Sequence, residues 1–71
     1  MSDYIRMVFD ALHAAGSPDA ETRAAIYADC RAEVVSMYSD PVQREKELGK
    51  LEKVIRRQEM QALYEEGLHG N

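Results

Sequence analysis

Cysteine occurs once in this chain of 71 residues, proline twice and glycine four times. The lone Cys30 excludes an internal disulfide and fits a reducing compartment. With so few breakers, most of the chain is free to be helical, and both prolines stand where a helix would start. No run approaches ~18 consecutive apolar residues, which argues against a membrane-spanning helix. The opening Met1-Ser2-Asp3 lacks the basic-then-apolar order of a signal peptide. The expectation is a soluble, cytoplasmic protein with no membrane contact. There is no Gly-rich phosphate loop. One Cys and two distant histidines, His13 and His69, do not supply the four ligands of a zinc site. No metal and no cofactor are expected.

The length leaves room for one domain. A chain this small buries only about 60% of the surface its unfolded form exposes, so its stability is marginal without a staple. A disulfide being excluded, oligomerisation or a partner is the remaining staple. The net charge of −4 is unevenly placed. Residues 1–40 hold seven acids against three bases, whereas residues 41–71 hold six of each sign. The acidic half argues against direct binding to nucleic acid or anionic lipid, both of which need a positive field. It favours a partner with a basic surface.

Helix punctuation divides the chain into three units. Ser2 is a fair N-cap for a first helix over about residues 3–15, with Ile5, Val8, Leu12 and Ala15 on one face and Phe9 beside it. Gly16 takes the position past that helix end. Ser17 or Asp19 caps the second helix, about 18–38, and Pro18 pre-sets its backbone. Tyr27, Cys30, Val34, Met37 and Tyr38 form its stripe, widened by Ile26 and Val35. Four alanines, Ala24, Ala25, Ala28 and Ala32, allow another helix to approach closely. Asp40 caps the third helix, about 41–66, with Pro41 in its first turn and Gln43 three residues after the cap. Its stripe is Leu48, Leu51, Ile55 and Ala62. Gly67 is the natural stop, and Leu68 to Asn71 form a frayed tail. Gly49 lies inside this helix at a cost of about 1 kcal/mol relative to Ala. The explanations are tolerance at an exposed site, or a close helix approach or bend. The fold class is all-α: an antiparallel hairpin of the second and third helices plus a short first helix, with short loops setting neighbours antiparallel.

Catalytic chemistry has little to work with. Cys30 and His13 are the only nucleophile–base candidates. Cys30 lies in an apolar stripe beside Asp29, a setting that raises a thiol pKa. His13 ends the first helix, where a cation meets the negative end of the helix dipole. The expectation is a protein without enzymatic activity. The third helix carries Arg44, Lys46, Lys50, Lys53, Arg56 and Arg57, but Glu45, Glu47, Glu52 and Glu59 are interleaved with them. Glu52–Arg56 and Glu47–Lys50 have helical pair spacing, so a salt-laced solvent face is expected. A short helix-turn-helix, with a recognition helix beginning Pro41-Val42-Gln43-Arg44, is the nucleic-acid alternative.

Two resemblances follow from particular features. Arg23-Ala24-Ala25-Ile26-Tyr27, then Arg31, Pro41, Arg44-Glu45, Leu51-Glu52-Lys53-Val54-Ile55-Arg56-Arg57 and Glu59 together resemble a helical hairpin segment. That segment is found near the N-termini of many otherwise unrelated bacterial proteins. The match spans about residues 21–62 and implies an interaction or assembly segment without an active site. This chain departs from the pattern in its shorter turn before Pro41 and its own preceding helix. In type, a small acidic helical protein without catalytic residues is similar to the inhibitors made by phages and mobile elements, anti-CRISPR proteins among them. That likeness carries over no residue.

The reading from sequence is a non-enzymatic helical protein that binds, and inhibits or assembles, a larger protein. An inhibitor of nucleic-acid machinery is its sharpest version, and a homodimerising or antitoxin-like regulator is the alternative. The expected contact residues are the acids Asp10, Asp29 and Glu33, and, on the third helix, Leu51, Ile55, Met60, Leu63 and Tyr64. The geometric reason is length. A third helix much longer than its neighbours should leave its far end uncovered.

Overall fold

The computed structural model describes residues 4–16 and 18–69. Three helices follow one another: α1 (Tyr4–Ala14), α2 (Ala20–Met37) and α3 (Pro41–His69). There is no strand among the described residues. The expected caps act as the sequence suggests. The Asp19 carboxylate accepts from the Thr22 backbone N–H at 2.8 Å, and Asp40 accepts from Gln43 N–H at 3.2 Å. Gly16 has φ +80°, a left-handed value that ends α1 without steric cost. Ser2 and Ser17, the other expected caps, lie outside the described residues.

The far end of α3 departs from expectation. Gly67 does not stop the helix, which continues to His69, so Leu68 and His69 are not a frayed tail. Gly is unfavourable inside a helix but not forbidden.

Contacts along the hairpin fix the directions of the helices. Arg23 bonds Glu59, Arg31 bonds Glu52, and Tyr38 lies 3.5 Å from Glu47. Residue numbers rise on α2 as they fall on α3, so the two are antiparallel. Tyr4 bonds Glu47 while Leu12 lies beside Gln58 and Ala62, so α1 runs parallel to α3. It covers one side of the hairpin. The core is Tyr4, Val8, Tyr27, Cys30, Val34, Leu51 and Ile55, with Met7, Leu12, Ile26, Leu48 and Val54 packed against it.

Three expectations about facing need correction. Ile5 and Met37 were placed on core stripes and are more than half exposed. Each sits at the margin of a stripe where no neighbouring helix reaches. Leu51 and Ile55, expected at a partner interface, are 0% and 6% exposed and form the centre of the protein's own core. α1 and α2, packed on α3, already close over them.

Truncation separates core from surface on this helix. Leu51→Ala removes a fully buried side chain and is expected to lower unfolding free energy by about 2–5 kcal/mol, much of the stability of so small a domain. Leu63→Ala should stay within about 0.5 kcal/mol. Urea unfolding followed by circular dichroism measures both.

Candidate interaction surface

Arg23 is the polar centre of the hairpin. It is 4% exposed, and each of its three guanidinium nitrogens has an acceptor. Nε and Nη2 donate to the Glu59 carboxylate at 2.8 and 3.1 Å, Nη2 also to Glu66 at 2.6 Å, and Nη1 to the Pro18 carbonyl at 2.9 Å. Tyr27, one turn along α2, donates its hydroxyl to the same Glu59 at 3.1 Å. A buried cation survives only when paired and hydrogen-bonded, and here both conditions hold. Its hydrogen bonds to the Glu59 carboxylate push Arg23 above its ordinary range, and the same contact holds Glu59 below the usual carboxylate range. Burial and the Glu59 charge push Tyr27 up to about 12.

Two further clamps follow along α3. Arg31 meets Glu52 in a two-pronged pair at 2.5 and 2.9 Å. Glu47, itself buried, accepts from Tyr4 at 2.6 Å and from Lys50 at 2.9 Å. Desolvation and the Glu47 bond raise Tyr4, while the Tyr4 bond lowers Glu47. No buried side-chain nitrogen or oxygen among the described residues is left without a partner.

These clamps sort the charges of α3. Glu47, Glu52, Glu59 and Glu66 turn toward α1 and α2. Lys46, Lys53, Arg56 and Arg57 turn outward, and none makes an ion pair among the described residues. Of the expected pairs within the helix, Glu47–Lys50 is present. Glu52 instead bonds Arg31 across the hairpin in a two-pronged pair, while Arg56 one turn away acts on it only through its charge. The solvent face of α3 is therefore more basic than an interleaved sequence suggests. Sequence reasoning missed the burial of Arg23. A signal for it was present: Glu52, Glu59 and Glu66 recur every seven residues, a spacing that keeps one side of a helix turned to its neighbour.

The contact residues expected from sequence fall in three places. Asp10, Asp29 and Glu33 are exposed, with Asp29 and Glu33 one turn apart on α2 and without an ion pair among the described residues. Met60, Leu63 and Tyr64 are 66%, 56% and 68% exposed. Leu51 and Ile55 are in the core. Arg23 stands level with Glu59, so Ala20, the first residue of α2, stands near Ala62, and Leu63 and Tyr64 lie where α3 runs on past α2, as its length leads one to expect. Met60 lies alongside α2 and is exposed because it faces away from it. Cys30 is buried, and burial raises its thiol. His13 stacks on Phe9, with ring centroids 5.4 Å apart. The two do not form a dyad: His13 is on the exposed edge of α1 and Cys30 in the core.

An open cleft of about 580 Å³ lies between the α1–α2 corner and the end of α3, lined by Leu12, Pro18, Asp19, Arg23, Ala62 and Glu66 among others. Its one cation is spent on Glu59, Glu66 and Pro18, so it offers no free charge to an anion. No three His, Cys, Asp or Glu side chains converge as a metal site among the described residues, and no helix there is long and apolar enough to cross a membrane. The helix-turn-helix arrangement is not formed. α2 and α3 lie antiparallel along their length, whereas that motif crosses its helices steeply.

The titrations set a pH window. Glu47, Glu52 and Glu59 lie below the ordinary carboxylate value of 4.5, so the folded state binds fewer protons than the unfolded state. Their contribution is complete above that value and is lost as pH falls through their folded pKa values. Tyr27, raised from 10.0 to about 12, adds stability that is complete below 10 and lost as pH rises toward 12. Urea midpoints are expected to be flat near neutrality and to fall on both sides. Tyr27→Phe should remove part of the alkaline limb and, because the Tyr27 hydroxyl also helps hold Glu59 down, a smaller part of the acid limb.

No family model matches the chain, and no curated protein and no solved structure matches it.

Proposed function

We propose that this protein works by binding a larger protein, without chemistry of its own, and that its partner presents a basic surface. An inhibitor seated on the nucleic-acid channel of a larger machine is the sharpest form of that reading. The observation that carries it is the division of acids. The carboxylates of α3 at Glu47, Glu52, Glu59 and Glu66 are consumed inside the fold, while Asp29 and Glu33 on α2 are exposed and unpaired among the described residues. Two carboxylates one turn apart can meet one basic patch together. Met60, Leu63 and Tyr64 supply apolar contact area of the kind that anchors helical interfaces.

A second reading, a self-associating regulator, is favoured by a separate observation: α1 covers one side of the hairpin and, among the described residues, no helix covers the other.

The kinetic signature of charge complementarity is a fast encounter. With a partner captured from the native host, Asp29→Lys with Glu33→Lys should lower the association rate at least tenfold at low salt, with helicity unchanged. Raising salt should slow wild-type association more than it speeds dissociation. A double reversal that associates at the wild-type rate would reduce these acids to solvated surface. Tight, salt-dependent binding of the wild-type protein to duplex DNA would replace the whole reading with a nucleic-acid one.

A further inference from the structure

The fold uses some of its cations and leaves others free. Arg23, Arg31 and Lys50 are ion-paired, and Arg44 donates to the Tyr38 and Ser39 carbonyls. Arg56 lends its charge to Glu52. Arg6, Lys46, Lys53 and Arg57 are exposed and make no ion pair among the described residues.

These four gather on one side of the molecule. On α3, residues 46, 50, 53 and 57 follow the alternating steps of four and three that keep one line along a helix. Lys50 shows which way the line faces. It donates to Glu47, which accepts from Tyr4, so the line follows the α1 edge of α3. Lys50 and Arg57 border α1, and Lys46 and Lys53 stand just outside them. Arg56 and Glu45 fall on the other edge, since successive residues turn by about 100°. On α1, Ile5, Phe9 and Leu12 form a matching line. Leu12 lines the corner cleft together with Gln61, one turn beyond Arg57, so this line lies next to the cations of α3. Half-buried Val54 packs between the two. Arg6 and His13 flank Phe9 on the outer edge, and His13 stacks on it.

The result is a shallow seam with an apolar floor and basic margins. Ile5 and Phe9 are 63% and 52% exposed on that floor. Acids stand only at its limits: Asp10 one turn past Arg6, and Glu65 one turn past Gln61 in the cleft. From Lys46 to Arg57 the seam runs about 16 Å, the length of about three helical turns.

We infer that the seam between α1 and α3 holds an acidic amphipathic helix of another protein, about three turns long. Charge complementarity selects the occupant. Carboxylates at steps of four and three along one edge of such a helix stand opposite Lys46, Lys50, Lys53 and Arg57, while its apolar line covers Ile5 and Phe9. A nucleic acid fits less well. A long polyanion meets the whole net charge of −4, and Ile5 offers nothing to a phosphate backbone. An anionic membrane fits less well too, because Asp10 and Glu65 would be pressed against its headgroups. A three-turn helix stays between those acids, and exposed charges beyond about 8 Å are largely screened at physiological salt. This surface is separate from the acids proposed to meet a basic partner, since Asp29 and Glu33 stand on α2.

The test titrates the full chain into a labelled peptide of about 14 residues, built from Leu, Ala and Glu with the leucines three and four apart. Fluorescence anisotropy at low salt follows binding, and circular dichroism checks each variant. The acidic peptide is expected to bind with a Kd below about 100 μM. Replacing its Glu by Gln should weaken binding at least fivefold. Lys53→Glu with Arg57→Glu should weaken it at least tenfold, and Phe9→Ser at least threefold, with helicity retained. Arg56→Glu, on the other edge of α3, should change it less than twofold. Absence of saturable binding up to about 1 mM would overturn the inference. So would equal affinity for the Gln peptide, or a loss at Lys53 and Arg57 no greater than at Arg56. Tighter binding of a 12-nucleotide single strand or of phosphatidylserine vesicles, lost on the same double reversal, would reassign the seam to that ligand and overturn the inference as well. The Asp29 and Glu33 kinetics are measured on other residues, so the two readings fail separately.

Discussion

The guanidinium of Arg23 is the constraint around which the fold is arranged. Burying a cation in a domain of 71 residues is costly unless it is paired and hydrogen-bonded. Glu59 and Glu66 of α3 and the Pro18 carbonyl fill that requirement together. They do so at the closed end of the α1–α2 corner, so a single side chain ties the corner, the start of α2 and the last turns of α3. Once Arg23 meets Glu59, the register of the hairpin is set, and Arg31 falls on Glu52 and Tyr38 near Glu47 as a consequence. An apolar core of seven residues would permit sliding of one helix along another; a spent guanidinium does not.

The same constraint decides what the surface offers. Acids used to hold α3 inside cannot also balance its bases outside. Lys46, Lys53, Arg56 and Arg57 are left on the solvent side with only Glu45 and Glu65 of α3 beside them, while Asp10, Asp29 and Glu33 stand exposed on α1 and α2. A chain with a modest net charge of −4 therefore presents separate surfaces of opposite sign. Because α1 is only 11 residues long and lies on one side of the hairpin, the other side remains an alanine-rich face with a glycine opposite it. The interaction readings come from these leftovers of folding, and none from a constellation of reactive groups.

Much of the fold was legible because punctuation is local. Asp19, Asp40, Pro41 and Gly16 act through their own backbone and a neighbour or two, and the three helices stand within a few residues of expectation except where α3 passes through Gly67. Facing was less legible. Leu51 and Leu63 are both leucines on α3, and only the packing of α1 and α2 shows that one is core and the other surface. Charge pairing was least legible. Glu52 had a partner one turn away in sequence and found a better one across the hairpin. Across the helices Arg23, Tyr27 and Glu59 form one hydrogen-bonded group and Arg31 and Glu52 another. The candidate contacts Asp29, Glu33, Met60, Leu63 and Tyr64 were readable as exposed; which of them meets a partner depends on a second surface that sequence does not contain.

The central claim is that Arg23 and Glu59 act as one buried unit that sets the hairpin. A double-mutant cycle measures it directly, with Arg23→Ala, Glu59→Ala and the double variant unfolded in urea at neutral pH and low protein concentration. Charge-assisted hydrogen bonds of this kind predict a coupling of about 1.5–3 kcal/mol. The more exposed Arg31–Glu52 pair, treated the same way, should give about 1 kcal/mol or less. A coupling near zero for Arg23 and Glu59, or one no larger than that of the exposed pair, would contradict the account.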